Sequence, residues 1–328
     1  MNKFLQIAVV LTMVMSGCVP AEEPVQVVDR GQVQVLPADY QYPDTPTFSL
    51  LSWNVEHFLD PYDDPYIDNQ RENNPPENMQ LRRALLIEAL RKADADVVLL
   101  QEFESAKYLK QLADDSLSGM GYTFFADIPS HGWYMNVVLM SRFPLGEISG
   151  YGNVTTPLPD YLDEEGKKET QSHINTRMWT IEVFPAAAYH FLLTGVHLKA
   201  GRGPRNIAMR KGQINYLVSQ WNEALAANPS ANMIMAGDLN ATPDSEELSL
   251  LQTNKQLIAP FTDPIDTAVY SHPADEPRRR LDYLLVNENM LPEMQPESVQ
   301  VTHFFSADTM RMISDHLPVM GVFQRKDL

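Results

Sequence analysis

The chain has 328 residues, 43 of them acidic and 25 basic, for a formal net charge of −18. That balance excludes a surface that, as a whole, draws in nucleic acid or anionic lipid from a distance. Its one cysteine, Cys18, excludes both an intramolecular disulfide and a thiolate zinc site.

In chain order, the first segment stands apart from the rest. Lys3, the apolar run FLQIAVVLTMVM and the ending MSGC have the form of a signal peptide over residues 1–17. The apolar run is too short for a comfortable membrane span. Its small-small-Cys ending resembles a bacterial lipobox, which implies lipidation of Cys18, although Met15 replaces the more usual leucine. Val19 after that cysteine implies retention in the outer membrane of the cell envelope. An ordinary secretory signal with a chance cysteine is the alternative. Residues 18–47 are rich in Pro, Asp and Glu and read as a tether, in which VQVVDRGQVQV could add an edge strand. Residues 48–328 show no internal repeat and no second linker, and fit one domain.

FSLLSWNVEHF reads as the first strand of that domain and breaks into a polar insertion, Leu59 to Asn78. MQLRRALLIEALRKA is an amphipathic helix with Leu81, Leu85, Ile87 and Leu90 on its apolar face. DADVVLLQEF is a buried strand running into Glu102, and WYMNVVLMSRF and MWTIEVF are further strands. Between these two lies a polar segment at 155–176. YHFLLTGVHLKA is a strand ending at His197, and AMRKGQINYLVSQWNEALAAN is a long helix stopped by Pro229. NMIMAGDLN, LDYLLV and HLPVMGVF complete the strands. The order is mixed α/β and rich in strands, as in sheets packed between helices. A doubly wound sheet would alternate more regularly.

The unusual polar residues fall at strand ends. They are Asn54, Glu102, His197, Asp238 with Asn240, Asp282, and Asp315 with His316. Each has a bland reading: a turn, a helix cap or a satisfied core histidine. In an extended chain residues i and i+2 share a face, so Asp238 and Asn240 would aim at one point, with Gly237 permitting close backbone approach. Repetition at the same relative position argues for a shared site, because ligands of open α/β sheets collect at the carboxyl ends of strands. Glu102, Asn54 and Asp315 offer hard oxygen ligands that suit Mg²⁺. His316 could pair with Asp282 as an oriented base, Asp238 could position water, and Asn240 and His197 could donate to phosphate oxygens.

SWNVE, LLQE, HLKA, GDLNATP, RLDYLLV and SDHLPV, in this order, resemble the motif set of the endonuclease/exonuclease/phosphatase superfamily over about residues 48–324. The resemblance implies a four-layer α/β/β/α sandwich of two mainly antiparallel sheets with helices outside. It also implies one or two Mg²⁺ or Mn²⁺ ions held around Asn54, Glu102 and Asp315, and a base dyad of His316 and Asp282. Asp238 and Asn240 would bind water and phosphate, His197 would contact phosphate, and Arg177 and, more loosely, Asn136 would line the substrate site. The implied activity is a metal-dependent phosphodiesterase, foremost a nuclease on DNA or RNA. A phosphatase or a phospholipid or sphingolipid phosphodiesterase is the alternative, and a surface lipoprotein that only binds is a third reading that the intact motifs oppose.

Two basic runs bear on the substrate. Lys199, Arg202, Arg205, Arg210 and Lys211 follow His197, and Arg278, Arg279 and Arg280 precede Asp282. Solvated loops are the ordinary reading of such runs. Their places beside the motifs lead us to expect a cationic rim that guides a polyanion into an acidic protein. A monomer is expected, touching the membrane only through its lipid.

Overall fold

The computed structural model describes residues 37, 39–128, 132–172, 174, 177–253 and 257–328. The described residues fold as one unit. The signal peptide, Cys18 and the candidate edge strand lie outside the described residues.

The first half runs β1 (Thr47–Phe58), α1 (Gln70–Asn73), α2 (Met79–Ala93), β2 (Val97–Phe103), α3 (Ala106–Ser116), β3 (Phe124–Ala126), β4 (Asn136–Ser141) and β5 (Leu145–Gly150). Then come β6 (Thr155–Leu162), β7 (Lys168–Ser172), β8 (Met178–Ala186), β9 (Tyr189–His197) and α4 (Pro204–Ala227). The last part holds β10 (Met233–Asp238), α5 (Glu246–Gln252), β11 (Phe261–Thr262), β12 (Asp282–Asn287), β13 (Gln300–Val301), α6 (Ala307–Ile313) and β14 (Val319–Gln324).

Two six-stranded sheets result, in the orders β13-β14-β1-β2-β4-β3 and β11-β12-β10-β9-β8-β5. Each has one parallel pair at its centre, β1 with β2 and β9 with β10, and antiparallel neighbours elsewhere. Strand alternation sorts the side chains. Leu50, Leu99, Val137 and Leu139 of the first sheet meet Ile181, Leu193, Ile234 and Leu284 of the second in one core. The opposite faces are covered by helices. Leu51, Trp53, Val98 and Leu100 pack on α2, α3 and α6, and Met178, Val196, Met235 and Leu285 pack on α4 and α5. This is the expected four-layer α/β/β/α sandwich.

Three local features depart from expectation. The buried face of α2 runs through Arg82, Leu86, Ile87, Ala89 and Leu90, and Leu81 faces solvent. Arg82 takes that inward place because its guanidinium satisfies the carbonyls of Val55 and Ile313, at 2.7 and 2.8 Å. Much of the polar segment at 155–176 is the hairpin β6–β7, packed on α4 so closely that a Cβ on Gly212 would meet the Pro157 carbonyl at 2.1 Å. The end of the expected tether is docked: Tyr40 donates to the Arg142 carbonyl at 3.0 Å, and Arg325 binds the Thr45 carbonyl at 2.7 Å.

Candidate active site

The parallel pairs bring the strand ends together. In the second sheet Asp238 lies in register with His197 of β9 on one side and Asp282 of β12 on the other. Three of the predicted residues therefore form a row across three strands. Gly237 makes that row possible. Its φ is +139°, and a Cβ there would meet the Val196 carbonyl at 1.9 Å. The close approach foreseen for this glycine is to the neighbouring strand β9.

In the first sheet Asn54 pairs with Gln101, and the ladder slips between Gln101 and Phe103, so that Glu102 sits on a bulge. Glu102 has φ +57°, and Glu56, His57 and Asn240 are at +47°, +50° and +51°. These are four of the seven non-glycine residues with positive φ among the described residues. Left-handed backbone costs about 1–3 kcal/mol at such residues, and its concentration here marks a place where position outweighs stability.

Asn54 joins the two sheets. Its Nδ2 donates to Glu102 Oε1 at 3.2 Å and to Asp238 Oδ2 at 3.0 Å, while its Oδ1 accepts from the Glu56 N–H at 3.0 Å. It therefore offers the carboxylates its amide protons. Acting as an oxygen ligand would require turning the amide and losing the Glu56 bond. The Asp238 carboxylate also receives the Asn240 N–H at 2.8 Å and the Asn240 amide at 3.2 Å.

The expected dyad is in contact. His316 Nδ1 lies 2.8 Å from Asp282 Oδ2, with both side chains buried. His316 Nε2 lies 3.8 Å from Asp238 Oδ2 and 3.8 Å from Asp315 Oδ1, too far for hydrogen bonds but facing a common space. Burial alone would depress the His316 pKa, but Asp282, Asp238 and Asp315 outweigh it and raise the ring to about 10. Burial raises Asp238 to about 7 against the pull of His316. Asp315 is also opposed by burial, yet the hydrogen bond from His272 and the charge of His316 bring it to about 2.

His197 behaves differently. It is wholly enclosed, burial brings it to about 3, and the ring is neutral at ordinary pH. Its Nε2 stands 3.6 Å from Glu102 Oε1 and 3.7 Å from Asp238 Oδ2, and its Nδ1 has no partner. Arg177 lies near the same carboxylates. Burial lowers its pKa, Glu102 and Asp238 oppose that, and its guanidinium stands 5.6 Å from the Trp133 ring with Nε unbonded. Asn136 is buried, and its amide nitrogen bonds the carbonyls of Glu104 at 2.6 Å and Trp133 at 3.3 Å. Asp315 contacts His272 and His316 rather than Glu102 or Asn54.

Sequence reasoning missed three contributors. His57 donates its N–H to Glu102 Oε2 at 3.0 Å and sets its ring nitrogen 2.9 Å from Tyr134 Oη. Ser271 donates to Asp282 Oδ2 at 2.6 Å, and His272 Nε2 lies 3.3 Å from Asp315 Oδ2. His57 stood at the end of the first strand, where the other signals lay. Ser271 and His272 lie outside any named strand, and nothing in SHPAD marks them.

Residues 51–316 match the model of the endonuclease/exonuclease/phosphatase family. The fold is similar to that of an endonuclease/exonuclease/phosphatase from Bacteroides vulgatus, at 15% identity and a TM-score of 0.55, covering 86% of this chain and 100% of that one. It is similar to D. rerio TDP2 complexed with single-strand DNA product, at 18% identity and 0.55, covering 85% and 100%. The human nocturnin catalytic domain with bound sulfate anion follows at 17% and 0.53, covering 85% and 94%. Among curated proteins none matches the sequence. Identities this low show a common fold, whereas the family match spans most of the chain. The chain belongs to the endonuclease/exonuclease/phosphatase family, whose members hydrolyse phosphoester bonds and generally use divalent metal ions.

Proposed function

We propose that the protein is a divalent-metal-dependent phosphodiesterase that cleaves the backbone of DNA or RNA. The observation that carries this reading is the row His197–Asp238–Asp282 with His316 bonded to its last member at 2.8 Å. The donor set fits a hard dication. Glu102 and Asp238 share the Asn54 amide, and Asp238, Asp282 and His316 offer ligand atoms all within 4.8 Å of one another, an oxygen-rich donor set that suits Mg²⁺ or Mn²⁺. Glu102 would hold the ion, joined by Asn54 once its amide is turned and by Asp315 reaching in from its place beside His272 and His316. A bound dication would polarise a phosphoryl oxygen and offset the charge developing there.

The chain's own residues would do the rest. Neutral His316 takes a proton from water at Nε2 while its Nδ1–H stays on Asp282. The water oxygen forms its bond to phosphorus and the bond to the leaving oxygen breaks. His197 and Arg177 donate to the phosphate oxygens. His316 owes its raised pKa to the surrounding carboxylates, so its basic form depends on that negative charge being offset.

Nucleic acid is favoured by the cations that remain unpaired beside the site. Lys199 and Arg202 make no ion pair among the described residues. Burial and then the charge of Arg177 depress the Lys199 ammonium, which places Lys199 near the site. A cationic patch beside the site of a negative protein steers a polyanion toward it. The purified chain should cleave plasmid and RNA with Mg²⁺, more slowly as salt rises, and leave sphingomyelin vesicles intact. Turnover of vesicles alone would replace this reading with the lipid one.

We also propose that Cys18 is lipidated and holds the domain at the cell envelope. The Cys18→Ser variant should then move from the membrane to the soluble fraction. Unchanged membrane association would mean a different anchor.

A further inference from the structure

His272 lies outside every named strand, yet its backbone is clamped on both sides of the site. It forms a bridge with Arg279, with N–H···O distances of 2.9 and 3.0 Å. On either side, Leu317 N–H donates to the Ser271 carbonyl and Ala274 N–H to the Asp315 carbonyl, both at 2.8 Å. The imidazole is equally constrained. Its Nδ1 is 2.9 Å from Arg279 Nη2, its Nε2 is 3.3 Å from Asp315 Oδ2, and its ring stands edge-on to the His316 ring with centroids 4.7 Å apart.

A guanidinium can only donate. His272 Nδ1 must therefore accept from Arg279, and the ring proton lies on Nε2, the nitrogen 3.3 Å from Asp315 Oδ2. No lone pair of the ring is left for a metal, although His272, Asp315 and His316 are close enough to suggest one. We infer that His272 is a positioning residue: Arg279 fixes its tautomer, and its Nε2–H fixes the Asp315 carboxylate beside the His316 ring. Ser271 does the same for the other carboxylate. Its hydroxyl accepts from the N–H groups of Leu281 and Asp282, at 3.1 and 3.3 Å, and donates to Asp282 Oδ2 at 2.6 Å. Adjacent residues thus set the acids on the two sides of His316. The functional weight of this inference rests on the hydrolytic roles proposed above for Asp315 and His316.

Two measurements test it. Nitrogen-15 NMR of the metal-free protein should show His272 protonated at Nε2 only, and a ring protonated at Nδ1 would overturn the inference without reference to activity. In the second, His272→Phe should lower kcat and raise the Mg²⁺ concentration for half-maximal rate, by roughly 10–100-fold together, with KM for substrate nearly unchanged. His272→Gln, which returns an N–H near the lost one, should restore most of the rate. Full turnover in a folded His272→Phe protein, with His316→Ala inactive, would contradict it. Should the wild type hydrolyse no phosphodiester, the functional reading fails and the NMR result alone decides the tautomer.

Discussion

At the ends of β9, β10 and β12 the charged and polar side chains face one another across a shared space. In the two basic runs beside them most charges point to partners of their own. Arg210 is buried against Glu247 at 2.7 Å and also binds the Lys199 carbonyl at 2.8 Å. Arg280 is buried and paired with Asp263. Lys211 reaches Glu246 at 2.5 Å, Arg205 reaches Glu169 at 2.7 Å, and Arg278 pairs with Glu276. The expected rim thus narrows to Lys199, Arg202 and Arg279, the last bonded through its guanidinium to the His272 ring, beside Arg177. Proximity in sequence to a motif does not make a charge available to substrate. What counts is whether the fold already supplies its counter-ion.

The largest effects should come from the shared space. His316→Ala should reduce turnover at least about 10³-fold, and Asp282→Asn by less, with the fold kept in both. If the two residues act as a unit, the double variant should be no slower than His316→Ala. Multiplying losses would separate them, and Asp238 would become the next candidate base.

The basic runs should split under mutation. Arg210→Ala strands the buried Glu247 carboxylate and should cost about 3–5 kcal/mol of stability, read by denaturant unfolding. Arg202→Glu should leave stability unchanged, slow the cleavage of polymeric DNA about tenfold, and spare bis-p-nitrophenyl phosphate. Equal slowing of both substrates would move Arg202 out of a steering role.

Site positions were legible because they combined residue type with place. Glu102, His197 and Asp238 lie at the ends of apolar strands and Asn54 where β1 loses its regular register with β2, and strand register delivers them to one point whatever the loops do. Loop partners were not legible. The acceptor for Arg210 is 37 residues away in α5, and the segment that sets Asp282 and Asp315 carries no periodic signal. The face of α2 was misplaced for a related reason. A buried arginine bonded to main-chain carbonyls cannot be told from a solvated one in the sequence.

A smaller effect should appear far from the site. Glu293 is buried, receives the Asn232 amide at 2.9 Å and the Tyr189 hydroxyl, and is raised by burial from 4.5 to about 7. A carboxyl whose folded pKa is raised binds its proton more tightly in the fold. Its stabilising contribution is complete below about pH 4.5 and is lost as pH climbs through about 7. Between about pH 5 and 8, Glu293→Gln should flatten the decline in stability by on the order of 2 kcal/mol. An identical pH slope in the two proteins would show that Glu293 does not drive it.

The central claim is that the strand ends form one metal-dependent hydrolytic centre. Its most direct test is turnover of bis-p-nitrophenyl phosphate against Mg²⁺ or Mn²⁺ concentration, for the wild type and for Glu102→Gln. The wild type should be saturably activated by metal and silent in excess chelator, and the folded variant should be silent throughout. Full activity in chelator, or a Glu102→Gln protein with the wild-type metal curve, would contradict it.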